Sequence, residues 1–233
     1  MLGMTVDAVW VYLHRERLQS GSLSITLTNF ALATAVAMPA SVMAHFCLIT
    51  ITSLSLTTVV SWSLLLIFMA IPYVFSGVVV SLALTRSPFP TGQVYGVDLL
   101  GAALGCMGVI LFLNILDGPT AVIVSGAICG LSAIAFASSA AAEDQQQLRS
   151  KSWWRRPIPV TIALVVFAIL NSLAPVGMRP ILVKNSFETN ALGIYEKWNS
   201  YSRIVPAPQR CASLKCGAPL LPCRGMCASC RRN

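Results

Sequence analysis

Apolar residues fill the middle of this chain in long blocks, and polar residues gather in short interruptions between them. Five blocks lie at Thr28–Ile49, Val59–Leu84, Val94–Leu116, Thr120–Ala141 and Ile158–Val176. Each is close to the roughly 20 residues that cross a bilayer. None alternates with the period of two that a barrel strand requires. Each is therefore predicted to be a helix that closes its own backbone hydrogen bonds. A shorter block, Met1–Leu13, contains Asp7 and lacks both a basic leader and a small-residue cleavage site, so it does not read as a signal peptide. At 1.5 Å per residue it covers only about 20 Å, and it reads as the second half of a spanning helix.

The interruptions carry turn chemistry. Thr50 to Thr58 is polar and holds no Lys, Arg, Asp or Glu. Ser87-Pro-Phe-Pro-Thr-Gly92 and Asp117-Gly-Pro119 are breaks, with Pro119 placed to open a helix. Glu143 to Arg156 is a charged loop. The predicted fold is an all-α polytopic membrane bundle of about five full spans plus the partial one. Three regions follow: a helical membrane domain over 1–178, a linker and hairpin start over 179–205, and a disordered Cys/Arg-rich tail over 206–233.

Composition strengthens this picture. The chain is 56% hydrophobic and 10% charged, where soluble domains carry about a quarter charged residues. From Leu18 through Ala142 the formal charges are Arg86, Asp98 and Asp117 alone. The net charge of +8 does not point to nucleic acid, because its first two clusters sit in short connections between apolar blocks. If the loops alternate sides, Arg15, Arg17, Arg86, Arg149, Lys151, Arg155 and Arg156 share one side. The other side holds no Lys or Arg before Arg179 and Lys184. The positive-inside rule makes the first side cytoplasmic and places everything after Val176 outside.

Few residues suggest chemistry. Asp98 lies about one turn into its span. An intramembrane carboxylate is either a cation or proton site or an interface residue that snorkels or caps backbone. Pro72, followed by Gly77, marks either a hinge or a packing kink. Gly101-Ala-Ala-Leu-Gly105 is a GxxxG motif, and Gly108 falls near the same face, so backbones are expected to approach closely there. The partner is expected to be a helix of the same chain, with self-association as the alternative. His45 is read as hydrogen-bonded within the bundle rather than as a ligand. Cys211, Cys216, Cys223, Cys227 and Cys230 crowd the tail. Their irregular spacing, without histidine, fits an unstructured or out-of-frame tail better than a zinc or redox site. No catalytic residue, cofactor or metal is expected, and lipid is the expected partner.

Ile71-Pro-Tyr-Val-Phe-Ser-Gly-Val-Val-Val-Ser-Leu-Ala-Leu84, Tyr95-Gly-Val-Asp-Leu-Leu-Gly-Ala-Ala-Leu-Gly-Cys106 and Leu113-Asn-Ile-Leu-Asp-Gly-Pro-Thr-Ala121 resemble the membrane region of bacterial spermidine-synthase-like proteins. The resemblance covers about residues 1–205, and Asp-Leu-Leu-Gly-Ala-Ala-Leu-Gly is its most specific piece. It implies a multi-span domain in a bacterial inner membrane, ahead of a soluble aminopropyltransferase-like domain. Tyr195 to Ile204 resembles the hairpin that opens that soluble domain. A Gln contacts the nucleoside there in spermidine synthases, and Ser202 stands at the matching position, so that contact is not carried over. The likeness stops near Val205, before the nucleotide-binding core. The chain is therefore expected to be a truncated relative that neither binds S-adenosyl compounds nor transfers an aminopropyl group. That family's enzymes would work in the cytoplasm, whereas the charge rule places Trp198 outside. The alternative is a small-solute or polyamine transporter built around Asp98.

Overall fold

The computed structural model describes residues 2–14, 16, 18, 21–48, 55–141, 144, 146, 156–174, 177–178, 182–183, 186–187, 197–198 and 203–204. The chain forms α1 (Leu2–Leu13), α2 (Leu23–Cys47), α3 (Leu56–Arg86), α4 (Thr91–Ile115), α5 (Gly118–Ser138) and α6 (Pro157–Leu173). Four of these, α2 to α5, are long and apolar enough to cross a membrane, and the protein is a multi-pass helical membrane protein. Leu182–Val183 pairs with Ser186–Phe187, and Lys197–Trp198 with Arg203–Ile204, as two short antiparallel ladders. The expected tail, residues 206–233, lies outside the described residues, as does most of 179–205.

Proline sets several helix ends. The residue before a proline is pushed out of the α region. Ser87, before Pro88, ends α3 in extended backbone at ψ 142°, and Arg156, before Pro157, precedes α6 at ψ 131°. Pro119 lies in the first turn of α5, where its missing N–H costs nothing. Ala174, before Pro175, is extended at ψ 125° and stops α6 at 17 residues. The fifth apolar block, expected as a full span of 19 residues, thus forms a shorter apolar helix of 17, about 25 Å long, beside the four long enough to cross. Elsewhere the helix ends shift by a few residues from the apolar blocks: α3 runs from Leu56 to Arg86, beyond Val59–Leu84, whereas α5 stops at Ser138, short of Ala141, and hydroxyls along α3 bond back into the helix. Thr85 donates to the Ser81 carbonyl at 2.7 Å and Ser61 to that of Thr57 at 2.9 Å.

The centre of the bundle is α2, which packs on α3 along one side and on α5 along the other. α6 packs on α5, and α1 on α3. One core joins Ala31, Leu32 and Ala35 of α2 to Ala127 and Ala133 of α5 and to Val160 and Leu164 of α6. A second joins Leu18 and Leu27 to Val78 and Leu82 of α3, with Trp10 and Phe30 against it. Close approach is concentrated at Gly126-Ala-Ile-Cys-Gly130 of α5, a GxxxG motif that the sequence reading passed over. A Cβ on Gly126 would come within 2.8 Å of the Ala35 carbonyl and 3.3 Å of Pro39 Cδ. One on Gly130 would collide with the Thr161 hydroxyl.

α4 is different. None of its residues is buried, and it packs only sparsely against α3 and α5. In dilute detergent, Gly126→Leu is expected to destabilise the bundle by about 1–3 kcal/mol through overpacking. Gly101→Leu should leave thermal unfolding unchanged. Equal losses from both would contradict this packing.

Candidate functional site

Asp98 sits on α4, exposed, with no hydrogen-bond partner among the described residues. Gly101, Gly105 and Gly108 follow it at i+3, i+7 and i+10, so the four positions form one stripe. Among the described residues nothing comes within 4 Å of a Cβ built on Gly101 or Gly105, and Gly108 meets only its own helix's Phe112 at 4.0 Å. The expected intrachain partner for this GxxxG face is therefore absent from the described residues. The reason is physical: α4 is apolar along most of its surface, so no face is selected for the interior, and α2 and α6 already pack against the glycine seam of α5.

Pro72 is buried inside α3, and the helix runs through it from Leu56 to Arg86. It can donate no N–H to the Phe68 carbonyl, but the helix is not unwound there. His45, expected to hydrogen-bond within the bundle, is exposed near the end of α2 and has no such bond among the described residues. Its ring lies 5.9 Å from that of Phe46, tilted by 53°. Cys47 and Cys106 are exposed free thiols and Cys129 is half-buried. Among the described residues no group of three His, Cys, Asp or Glu could hold a metal. The five tail cysteines lie outside those residues.

Two polar features were not anticipated. The first is Asp7, which is only 4% exposed. Trp10 on α1, then His14 and Leu18 beyond its end, follow at i+3, i+7 and i+11 and are half-buried or buried, so the chain turns this side inward. The Asp7 carboxylate occupies the space that a Cβ on Gly77 would take, and it accepts a 2.6 Å hydrogen bond from the Ala8 N–H. Gly77 is nine residues from Arg86, about 13 Å along α3, so the carboxylate lies deep in the membrane. Beside it, the Trp10 ring stacks on His14 at 4.6 Å and meets Phe30 edge-on at 5.4 Å. The inward spacing on α1 carried this signal, but Asp7 had registered only as a break in apolarity.

The second feature closes one end of the bundle. Arg86 donates to the carbonyls of Leu18 and, at 3.2 Å, Gly21. Ser22 donates to the Asp144 carboxylate. The end of α3, the connection between α1 and α2, and the residues after α5 therefore meet at one membrane face, as alternating loops require. At the opposite face Asn171 donates to the Thr120 hydroxyl at 2.8 Å and accepts from the Met178 N–H at 2.7 Å.

No family model matches the chain, and no curated protein or solved structure is significantly similar to it. The geometry alone bears on function, and it separates the two intramembrane carboxylates: Asp7 is packed inside and Asp98 lies on an outer helix. Removing the Arg86 charge by Arg86→Gln is expected to cost about 1–3 kcal/mol and to expose the 14–22 connection to limited proteolysis. Gly77→Val, which fills the seat of Asp7, should free α1 while leaving that connection protected. Unchanged cleavage in Arg86→Gln would contradict the latch.

Proposed function

We propose that this chain is the membrane-anchoring helical domain of a spermidine-synthase-like protein in a bacterial inner membrane, with no chemistry of its own inside the bundle. The Asp-Leu-Leu-Gly-Ala-Ala-Leu-Gly string at 98–105 supports the family. The observation that carries the anchoring role is how the buried hydroxyls are used. Thr28, Thr34 and Thr161 each donate to the carbonyl four residues back, and Ser41 to the one three back. Thr120 is held by Asn171. Hydroxyls already donated to backbone in this way offer little to a passing solute. The transport alternative leans on Asp98, which stands on the outside of α4 rather than along an interior route.

On this reading the Gly101/Gly105 face serves contact with a second copy. A glycine groove is self-complementary about a two-fold axis, because identical backbones can close to van der Waals distance.

Two measurements test the proposal. Full-length chain in liposomes should take up spermidine no faster than protein-free vesicles, and Asp98→Asn should change nothing. Uptake abolished by Asp98→Asn would replace the anchor with a transporter. Self-association in detergent should weaken roughly tenfold or more in Gly101→Leu/Gly105→Leu, the equivalent of about 1–3 kcal/mol of overpacking. A wild-type chain that stays monomeric at all concentrations would remove the second copy.

A further inference from the structure

Because α4 stands off from the bundle, a cleft opens between it, α2 and α5 at the face opposite Arg86. Its volume is about 460 Å³, and its walls include Val42 and Phe46 of α2, Val109 and Phe112 of α4, and Ala121 and Val122 of α5. Two polar side chains, His45 and Ser125, line it. The Ser125 hydroxyl is already donated to the Ala121 carbonyl at 2.9 Å.

Three occupants are conceivable, and magnitude separates them. The space would hold a dozen or so waters at roughly 30 Å³ each, and each water needs two to four polar partners. One imidazole and one committed hydroxyl cannot supply them. A helix of a second copy is about 10 Å across and would fill this volume in little more than one turn, so it cannot lie along the cleft. Hydrocarbon is left. The walls run without a break into the lipid-facing surface of the bundle, where Val109 and His45 are themselves exposed.

We propose that this cleft seats one acyl chain of a bilayer lipid, taken from the leaflet opposite the basic connections, with His45 at the level where the chain meets its polar end. The seat is independent of whether the bundle anchors or transports. It gives α4 a filler in the cleft it shares with α2 and α5.

The test uses the full chain reconstituted in phosphatidylcholine vesicles whose acyl chains carry a photoactivatable diazirine. Crosslinks are expected to concentrate on Val42, Phe46, Phe112 and Val122, above the exposed reference positions Leu99 and Leu170. Val109→Trp, which fills the cleft from its loosest wall, should abolish that excess and leave labelling of Leu170 unchanged. Val122→Phe fills it from the opposite wall and should do the same if the first variant fails to fold. Even labelling of all exposed helix faces would overturn the proposal. So would an excess that survives in a folded filling variant.

Discussion

In hydrocarbon, helices gain little by hiding apolar side chains from their surroundings, since lipid tails are as apolar as leucine. What joins them is the closeness with which backbones meet. Everything ordered in this bundle follows from where that closeness is available. Gly126 and Gly130 let α5 settle against Ala35 on one side and Thr161 on the other. Small residues around them, Ala31, Ala127 and Ala133, keep the seam narrow. Gly77 does the same for α1, with a carboxylate rather than a methyl group filling the gap. Among the described residues α4 meets no such complement, and it remains at the periphery.

Polar groups obey a second constraint, because any unsatisfied donor or acceptor at this depth is costly. The bundle meets it locally. Most buried hydroxyls bond their own helix, and the longer-range polar links, Arg86 to the 18–21 carbonyls and Asn171 to Thr120, sit at the two faces. Asp7 is the exception: it is deep and, among the described residues, its hydrogen bond is to a neighbouring amide.

The helices were legible in the sequence because the bilayer imposes length and apolarity directly. Their ends were less so, since α3 runs beyond its apolar block into Thr and Arg residues while α6 stops short before Pro175. Packing was read less well. Gly101-Ala-Ala-Leu-Gly105 and Gly126-Ala-Ile-Cys-Gly130 are the same pattern, and nothing local distinguishes the helix that becomes the seam from the one that does not. That choice depends on what faces each glycine, which only the assembled bundle decides. The positions of Asp7, inside, and of Asp98, on an outer helix, were not legible for a related reason. The depth of a carboxylate can be counted along a helix, but whether it points inward depends on neighbours far away in sequence.

The latch at Arg86 also has a temporal meaning. Its guanidinium grips carbonyls 68 and 65 residues earlier in the chain, and Ser22 waits for a carboxylate 122 residues later. During synthesis α1 and α2 must therefore enter the bilayer with their connection untethered. It is fastened first when the third helix emerges and again when the fifth is complete. The connection can be closed only by residues made after it.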